Sequence, residues 1–578
     1  MPRRKSAKQQ SIKHQYDCKY DNNYKILVFA GIVMGLSACG ETEPAPVGAT
    51  PPVNLPPPMD PLPPTDPTET DRFATSNYCN QCHLAGDAAV MHDAAGEDIS
   101  PAYLWRSSMM AFAARDPYYL AVFSEEILRR PDAQADIEAI CTRCHAPAGS
   151  LEHEQTGGRL SFESLTTGTS PEDNLARDGI TCSLCHQIQD IGLGKTSSFA
   201  GGFTVGFERQ MFGPHQGPAV NPMQFFLNYT PVYSDHIASS EICATCHTVI
   251  VPITDASGAP TGGDFLEQAP YLEWLNSDYG GVPCQACHTP ARDENDVPIT
   301  SPISKYPEGL GTRQPFGKHG FSGGNSYMLG LLAENIEWTG SDVSAAELET
   351  AAERGEEHLR SAAEIAIASV TPEGDHLLVD VEITNKTGHK FPTGYPSRRA
   401  FIQFRAEDQN GNALLESGLF NEMGALVDAA GKRLDPLGSV LPHHDMITSS
   451  AEVQVYEAVA ADANGKPTHL ALEATHFVKD NRVLPSGFSD SHAWIDWIAP
   501  KGVGGDPSFT ASSDRITYRV PSGGMVRRIE AKIFYQSIPP STLDALSVVP
   551  TPAAVRFSQM ARAKSPLPVQ VASIALDL

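Results

Sequence analysis

Apolar and polar positions change rhythm several times along the chain. Around residues 339–365 the spacing is helical: Ser344 followed by Glu347 forms a capping box, and Leu348, Ala351, Ala352 and Leu359 fall near one face of a helix running to about residue 364. That helix is expected to connect two domains. Beyond it the period drops to two. Leu377, Val379, Val381 and Ile383 alternate with Leu378, Asp380, Glu382 and Thr384; Ile516, Tyr518 and Val520 alternate with Thr517 and Arg519; Ile529, Ala531, Ile533 and Tyr535 do so around Glu530 and Lys532. Turns rich in Asp, Asn and Gly (DQNGN, ADANGK) separate such runs. Residues 366–578 are thus expected to form an antiparallel β-sandwich-like domain.

The amino-terminal end reads differently. A basic leader precedes the apolar run 26–36 (ILVFAGIVMGL), which is too short to span a bilayer comfortably and ends at Ser37-Ala38-Cys39-Gly40. Residues 1–39 are expected to be an export signal. The Leu36-Ser37-Ala38-Cys39 end resembles the lipobox of bacterial lipoproteins; the resemblance makes Cys39 the lipidated first residue of the mature chain, and Gly40 beside it favours the outer membrane. Residues 40–71 are crowded with proline and are expected to form a semi-rigid tether, roughly 95 Å long if fully extended.

Charge narrows the partners. The 578 residues carry 42 basic and 69 acidic side chains, a net −27, and seven of the basic ones lie in the first 25 residues. The remainder holds 35 basic against 67 acidic residues. Such a surface repels phosphate backbones and attracts basic proteins, which argues against nucleic acid as a partner.

Cysteine placement decides the chemistry. Apart from Cys18 and Cys39, all ten cysteines fall in C-x-x-C pairs followed at once by histidine. Cys79 and Cys82 precede His83, Cys141 and Cys144 precede His145, and Cys182 and Cys185 precede His186; Cys243 and Cys246 precede His247, and Cys284 and Cys287 precede His288. A disulfide framework would not need five adjacent histidines, whereas two thiols for two vinyl groups and an imidazole for iron are what covalent haem c requires. Five covalently bound haems are therefore expected, in a mainly helical or irregular domain over residues 72–338. The spacing of first cysteines, 62, 41, 61 and 41 residues, marks a duplicated two-haem unit with one extra haem in front. About 53 residues per haem are too few to build a separate protein core around each.

At these residues the chain resembles the multihaem cytochrome c superfamily, which includes the tetrahaem cytochrome of ammonia oxidisers and larger respiratory relatives. The strings at 384–401 (TNKTGHKFPTGYPSRRAF), 477–488 (FVKDNRVLPSGF) and 531–540 (AKIFYQSIPP) extend the resemblance past the last motif. Relatives carry W-x-x-S-x-H, whose histidine is a distal ligand. Here Met110 stands at that place after Trp105 and Ser108, either as an axial ligand or packed on a haem face; Tyr279 holds the equivalent place after Trp274. Candidate distal histidines are His236 and His319, whose contexts resemble ligand segments, then His215, His92 and His153, with His389 reaching back from the next domain. Surface-loop histidines are the alternative. The pair His443-His444 reads as a polar loop rather than a metal site.

Lys479, Asp480 and Arg482 in KDNRVLPSGF are expected to form an ion-pair latch at a turn made by Pro485 and Gly487; Arg398, Arg399 and Arg482 could alternatively hold haem propionates or dock a partner. The resemblance implies a lipid-anchored, extracytoplasmic pentahaem cytochrome passing electrons between redox proteins. The alternatives are an oxidoreductase acting on a small nitrogen or sulfur compound at one five-coordinate haem, and a surface protein whose haems only staple the fold. All five motifs end in histidine, so the lysine variant that marks pentahaem nitrite reductases is missing.

Overall fold

Short helices, many opened by proline at their first turn, build the region 72–338 of the computed structural model, which describes residues 55–578 except 87–89, 256–257, 294 and 522–524. Contacts divide the chain into 1–52 and 53–578; the described residues belong to the second unit, and Cys39 lies outside them. Helix Pro117–Arg129 shows the local logic. Asp116 caps it by accepting from Tyr118 N at 2.8 Å, proline fills the first helical position, and Leu120, Ala121 and Phe123 are buried along one face. Two small ribbons interrupt the helices: strands Gln210–Gly213 and Thr230–Tyr233 pair parallel, and Val249–Thr254 pairs antiparallel with Pro260–Gln268. No helix among the described residues is long and apolar enough to cross a membrane.

Helix Ala345–Arg360 follows, with the capping box formed by Ser344 and Glu347, and with Leu348, Ala351, Gly355 and Leu359 buried. After it come two sheets. One is four-stranded, in the order Met446–Ile447, Ser513–Pro521, His376–Asn385, Ala363–Glu373; the other joins His476–Asp480, Val455–Ala461, Arg399–Glu407, Arg528–Gln536 and Val569–Asp577, with Ala413–Ser417 on the side. Their alternating inward side chains, among them Val379, Val381, Ile383, Ile402, Phe404, Ile516, Tyr518 and Ile533, meet in one cluster, where Phe404 and Tyr518 stack at 3.9 Å. The pairing is antiparallel but for Met446–Ile447, which lies parallel to the strand Ser513–Pro521.

Two expectations about organisation change. The boundary near 366 does not isolate the sheets, because helices Pro540–Leu546 and Pro552–Ala563 leave them. Ala554, Phe557 and Met560 then pack in the same cluster as Leu120, Phe123 and Ile137. Nor does the described part of the tether stand free. Met59 N donates to Pro552 O and Leu62 N to Trp338 O, both at 2.8 Å, and Leu62 is buried. Proline removes amide donors, but the few amides left between the prolines still find partners, and Leu62 supplies an apolar anchor.

The latch lies where the sheets meet the helical region. Lys390 Nζ reaches Asp480 Oδ2 at 2.6 Å, Arg482 binds both Asp480 oxygens at 2.7 and 2.8 Å, and Arg482 Nη1 lies 3.0 Å from the buried Glu273 of helix Pro270–Leu275. Glu273 also accepts from Lys390 N and Thr393 Oγ1. Beside it Ser486 O accepts from Asp278 N at 2.8 Å, and Gly487 takes φ +80°; a Cβ there would run into the Asp278 carboxylate.

Candidate functional site

Each C-x-x-C-H motif sits on a helix or helical turn: Ser76–His83, Gln134–His145, Cys182–Cys185, Ser240–His247 and Gln285–His288. Helical spacing puts the two cysteines, three residues apart, on one face with the histidine one position on. None of the ten is paired in a disulfide: Cys79, Cys82, Cys141, Cys144, Cys182, Cys185, Cys243, Cys246 and Cys284 are part-exposed, and Cys287 is exposed. At the first motif the backbone carbonyl of Cys82 accepts from Lys305 N at 2.9 Å, which ties the helix Ser76–His83 to the segment that also anchors His83. Burial pushes the Cys185 thiol up to about 12 and Cys141 well above its ordinary range. His247 shows the same combination: its surface is exposed, while burial, with His288 and Arg398 nearby, pushes its imidazole down to about 4. Side chains that are open on one side and enclosed by protein on the others fit a prosthetic group held between layers.

The imidazoles are prepared for a metal. Nδ1 donates to a backbone carbonyl in His83 (Ile303 O, 2.7 Å), His145 (Ala113 O, 2.8 Å), His186 (Phe212 O, 2.7 Å) and His288 (Ser322 O, 2.8 Å), which leaves Nε2 as the free lone pair. Burial lowers His83 and His186 and takes His145 to about 4, so these rings are neutral at neutral pH, as ligation requires. Tyr119 stacks on His145 at 3.7 Å with the planes 2° apart and fixes its tilt.

Two imidazoles on opposite faces of one iron, at about 2.0 Å each, place their ring centres roughly 6.3 Å apart. His186 and His319 lie 6.4 Å apart with planes 24° apart, and His288 and His389 lie 6.5 Å apart at 19°. His319 and His389 also hold Nδ1 on local carbonyls, Gly317 O and Lys390 O. His389 enters this site from the far side of the connecting helix.

The other candidates are placed differently. His236 has both nitrogens engaged, Nδ1 with Ser234 Oγ at 2.7 Å and Nε2 with Ile188 O at 2.8 Å, and its ring lies against Phe212, whose carbonyl holds His186. His153 Nε2 meets Asp173 at 3.0 Å. His92 keeps Nε2 free, with Nδ1 on Val90 O at 3.2 Å. Half-buried His215 lines a surface cavity of about 400 Å³ with Tyr233 and Arg313. Met110 packs among Leu175, Leu184 and Cys185, and Met109 near Cys182. Sequence reasoning missed His358, whose ring lies 5.2 Å from His288 at 56°; its place at the last turn of helix Ala345–Arg360, opposite no obvious partner, gave no signal.

The arginines divide. Arg482 is spent on the latch and Arg399 on Gln536 and Asp435, whereas Arg398 donates to Tyr395 O and has no ion-pair partner among the described residues. Near it, burial and then Glu126 push the Glu267 carboxyl up to about 7, against Arg398.

His443, Asp506 and Asp514 bring ligand atoms within 4.8 Å of one another. Gln454 Nε2 (2.8 Å) and Asn481 Nδ2 (3.1 Å) donate to His443 Nδ1, and backbone amides binding their oxygens fix both orientations. The His443 proton is therefore on Nε2, facing Asp506 at 3.2 Å, and the trio is a buried polar brace.

The cysteine pairs lie near one another. Cys79 lies beside Cys182, Cys243 beside Cys284, and Cys144 beside Cys246, while Cys185 is an electrostatic neighbour of Cys243 and Cys246. The motifs are thus neighbours in the order first, third, fourth, fifth, with the second beside the fourth.

No protein-family model and no curated protein matches the chain. Its structure is similar to a penta-haem cytochrome c552 from Thermochromatium tepidum, with TM-score 0.50 and 16% identity, covering 89% of this chain and 100% of that one. At that identity the likeness is one of fold: this chain shares the fold of that penta-haem cytochrome.

Proposed function

We propose that the chain binds five haem c groups and works as an electron-transfer unit outside the cytoplasm, tethered to a membrane through Cys39. The observation that carries this reading is the proximity of the five cysteine pairs, each with a neighbour among the others. Cysteines that lie side by side bring what they hold close together, and a relay needs that closeness. Haem, when bound, supplies the one-electron couple. The chain does the rest: ten cysteines fix five positions, and His83, His145, His186, His247 and His288 offer imidazoles to iron, the tilt of all but His247 set by backbone carbonyls. His319 and His389 supply second imidazoles to the third and fifth sites. Glu267 and Arg398 place ionisable groups beside the second and fourth, which tunes potential. Partners are other redox proteins, basic ones by charge.

The test is a reductive titration of the purified holoprotein with carbon monoxide added at the end. Five electrons per chain are expected, with no carbon monoxide shift from the third and fifth sites, where His319 and His389 face the motif histidines. Fewer than five electrons would remove the pentahaem reading. A shift worth one haem in five would favour the second reading, chemistry on a small nitrogen or sulfur compound at one iron. Facing imidazoles at two of the five sites are what keep that reading in view.

A further inference from the structure

The fifth site differs from the other four. Cys287 is the exposed cysteine of the ten, and helix Gln285–His288 has no buried residue. The loop before it, with Val282 41% exposed, is open as well. The fifth motif is joined to the helix of the fourth through Cys284 N, which donates to Ser240 Oγ at 3.0 Å, and Gln285 Nε2, which donates to Ser239 O at 2.7 Å.

Helix Ala345–Arg360 lies beside this site, with the His358 ring 5.2 Å from His288. Its outer face carries Glu349, Glu353 and Glu357, four residues apart, all exposed and with no ion-pair partner among the described residues. Like charges at that spacing repel and weaken a helix, so the stripe works against the element that carries it. Folding gives no reason for it. The whole chain is acidic, and the stripe concentrates that charge next to the outermost attachment site.

We propose that the surface formed by Cys284–His288 and the glutamate stripe of helix Ala345–Arg360 is the docking face for a cationic redox protein. The proposal rests on the electron-transfer reading above. Negative charge beside an exposed site steers a positive partner into register and raises its capture rate.

The experiment uses the full-length holoprotein and a lysine-rich c-type cytochrome as the probe. Affinity is measured at low and high salt, and carbodiimide cross-links between probe lysines and carboxylates are mapped by mass spectrometry. Cross-links at Glu349, Glu353 and Glu357 are expected, with about tenfold or greater loss of affinity in the Glu349→Lys/Glu353→Lys/Glu357→Lys variant and a comparable loss in high salt. Cross-links elsewhere, or unchanged affinity in the variant, overturn the proposal. Self-association of the chain through this face, seen as cross-links between two copies, also overturns it. The reductive titration separates the two readings: a protein that takes up five electrons but binds elsewhere loses this face alone.

Discussion

Single residues carry the sharpest consequences. Burial by itself would raise the Asp480 carboxyl, but Arg482 and Lys390 override it and hold it far below the usual carboxylate range. A depressed carboxylate contributes stability that is complete above its unfolded value, about 3.9, and is lost as pH falls through the folded one. Asp480→Asn leaves Lys390 and Arg482 with a neutral partner, so a loss of about 3–5 kcal/mol is expected in denaturant unfolding at pH 7. A loss under about 1 kcal/mol would mean the latch is incidental. Glu267 has the opposite sign. With its carboxyl at about 7, it ionises as pH rises through neutrality, and the new negative charge favours the oxidised, more positive state. The potential of the site at Cys141 and Cys144 should therefore fall between pH 6 and 8, by at most about 59 mV per unit for one electron and one proton. Glu267→Gln should flatten that slope in spectroelectrochemical titration; an unchanged slope assigns the proton elsewhere. His319→Ala should open the third site, so that carbon monoxide shifts one more haem in the reduced variant than in the parent protein. At this scale the ten motif cysteines and five motif histidines stand out in the sequence because each motif is contiguous. The anchors on Ile303, Ala113, Phe212 and Ser322 were not, since a backbone carbonyl carries no side-chain signature.

At the scale of elements, local signals and tertiary demands part company. Ser344 and Glu347 announced the start of helix Ala345–Arg360, and period-two alternation announced strands His376–Asn385, Ser513–Pro521 and Arg528–Gln536, because caps and pleats act within a few residues. Helix Pro552–Ala563 reads locally as an ordinary amphipathic helix, yet its apolar stripe is spent on Pro117–Arg129, more than 400 residues earlier. Phe557 is fully buried there, with its ring 5.5 Å from Tyr118. Phe557→Ala is expected to destabilise by about 3–5 kcal/mol. It should also weaken the hold on His145, whose anchor and stacking partner, Ala113 and Tyr119, flank that same helix start. A mutant that loses stability while the His145 site keeps its spectrum would separate the two roles.

For the molecule as a whole, the packing across residues 62–561 and the Glu273 latch make the helical region and the sheets one cooperative body. One calorimetric transition is expected for the described unit; two resolved transitions would restore the independent domains that the change of periodicity near 366 suggests. Reading the residues in order was enough for the count of C-x-x-C-H motifs and the types of most long elements, and it set haem c and an export signal as expectations. These depend on covalent spacing, composition or short-range periodicity. Folding in three dimensions was needed to learn that His319 faces His186, that His389 crosses to His288, that His236 spends both nitrogens elsewhere, and that residues 59–63 lie on Trp338 and Pro552. A distal ligand is chosen by which imidazole the folded chain brings opposite an iron site. That distance is set by packing between elements hundreds of residues apart, and local sequence does not encode it.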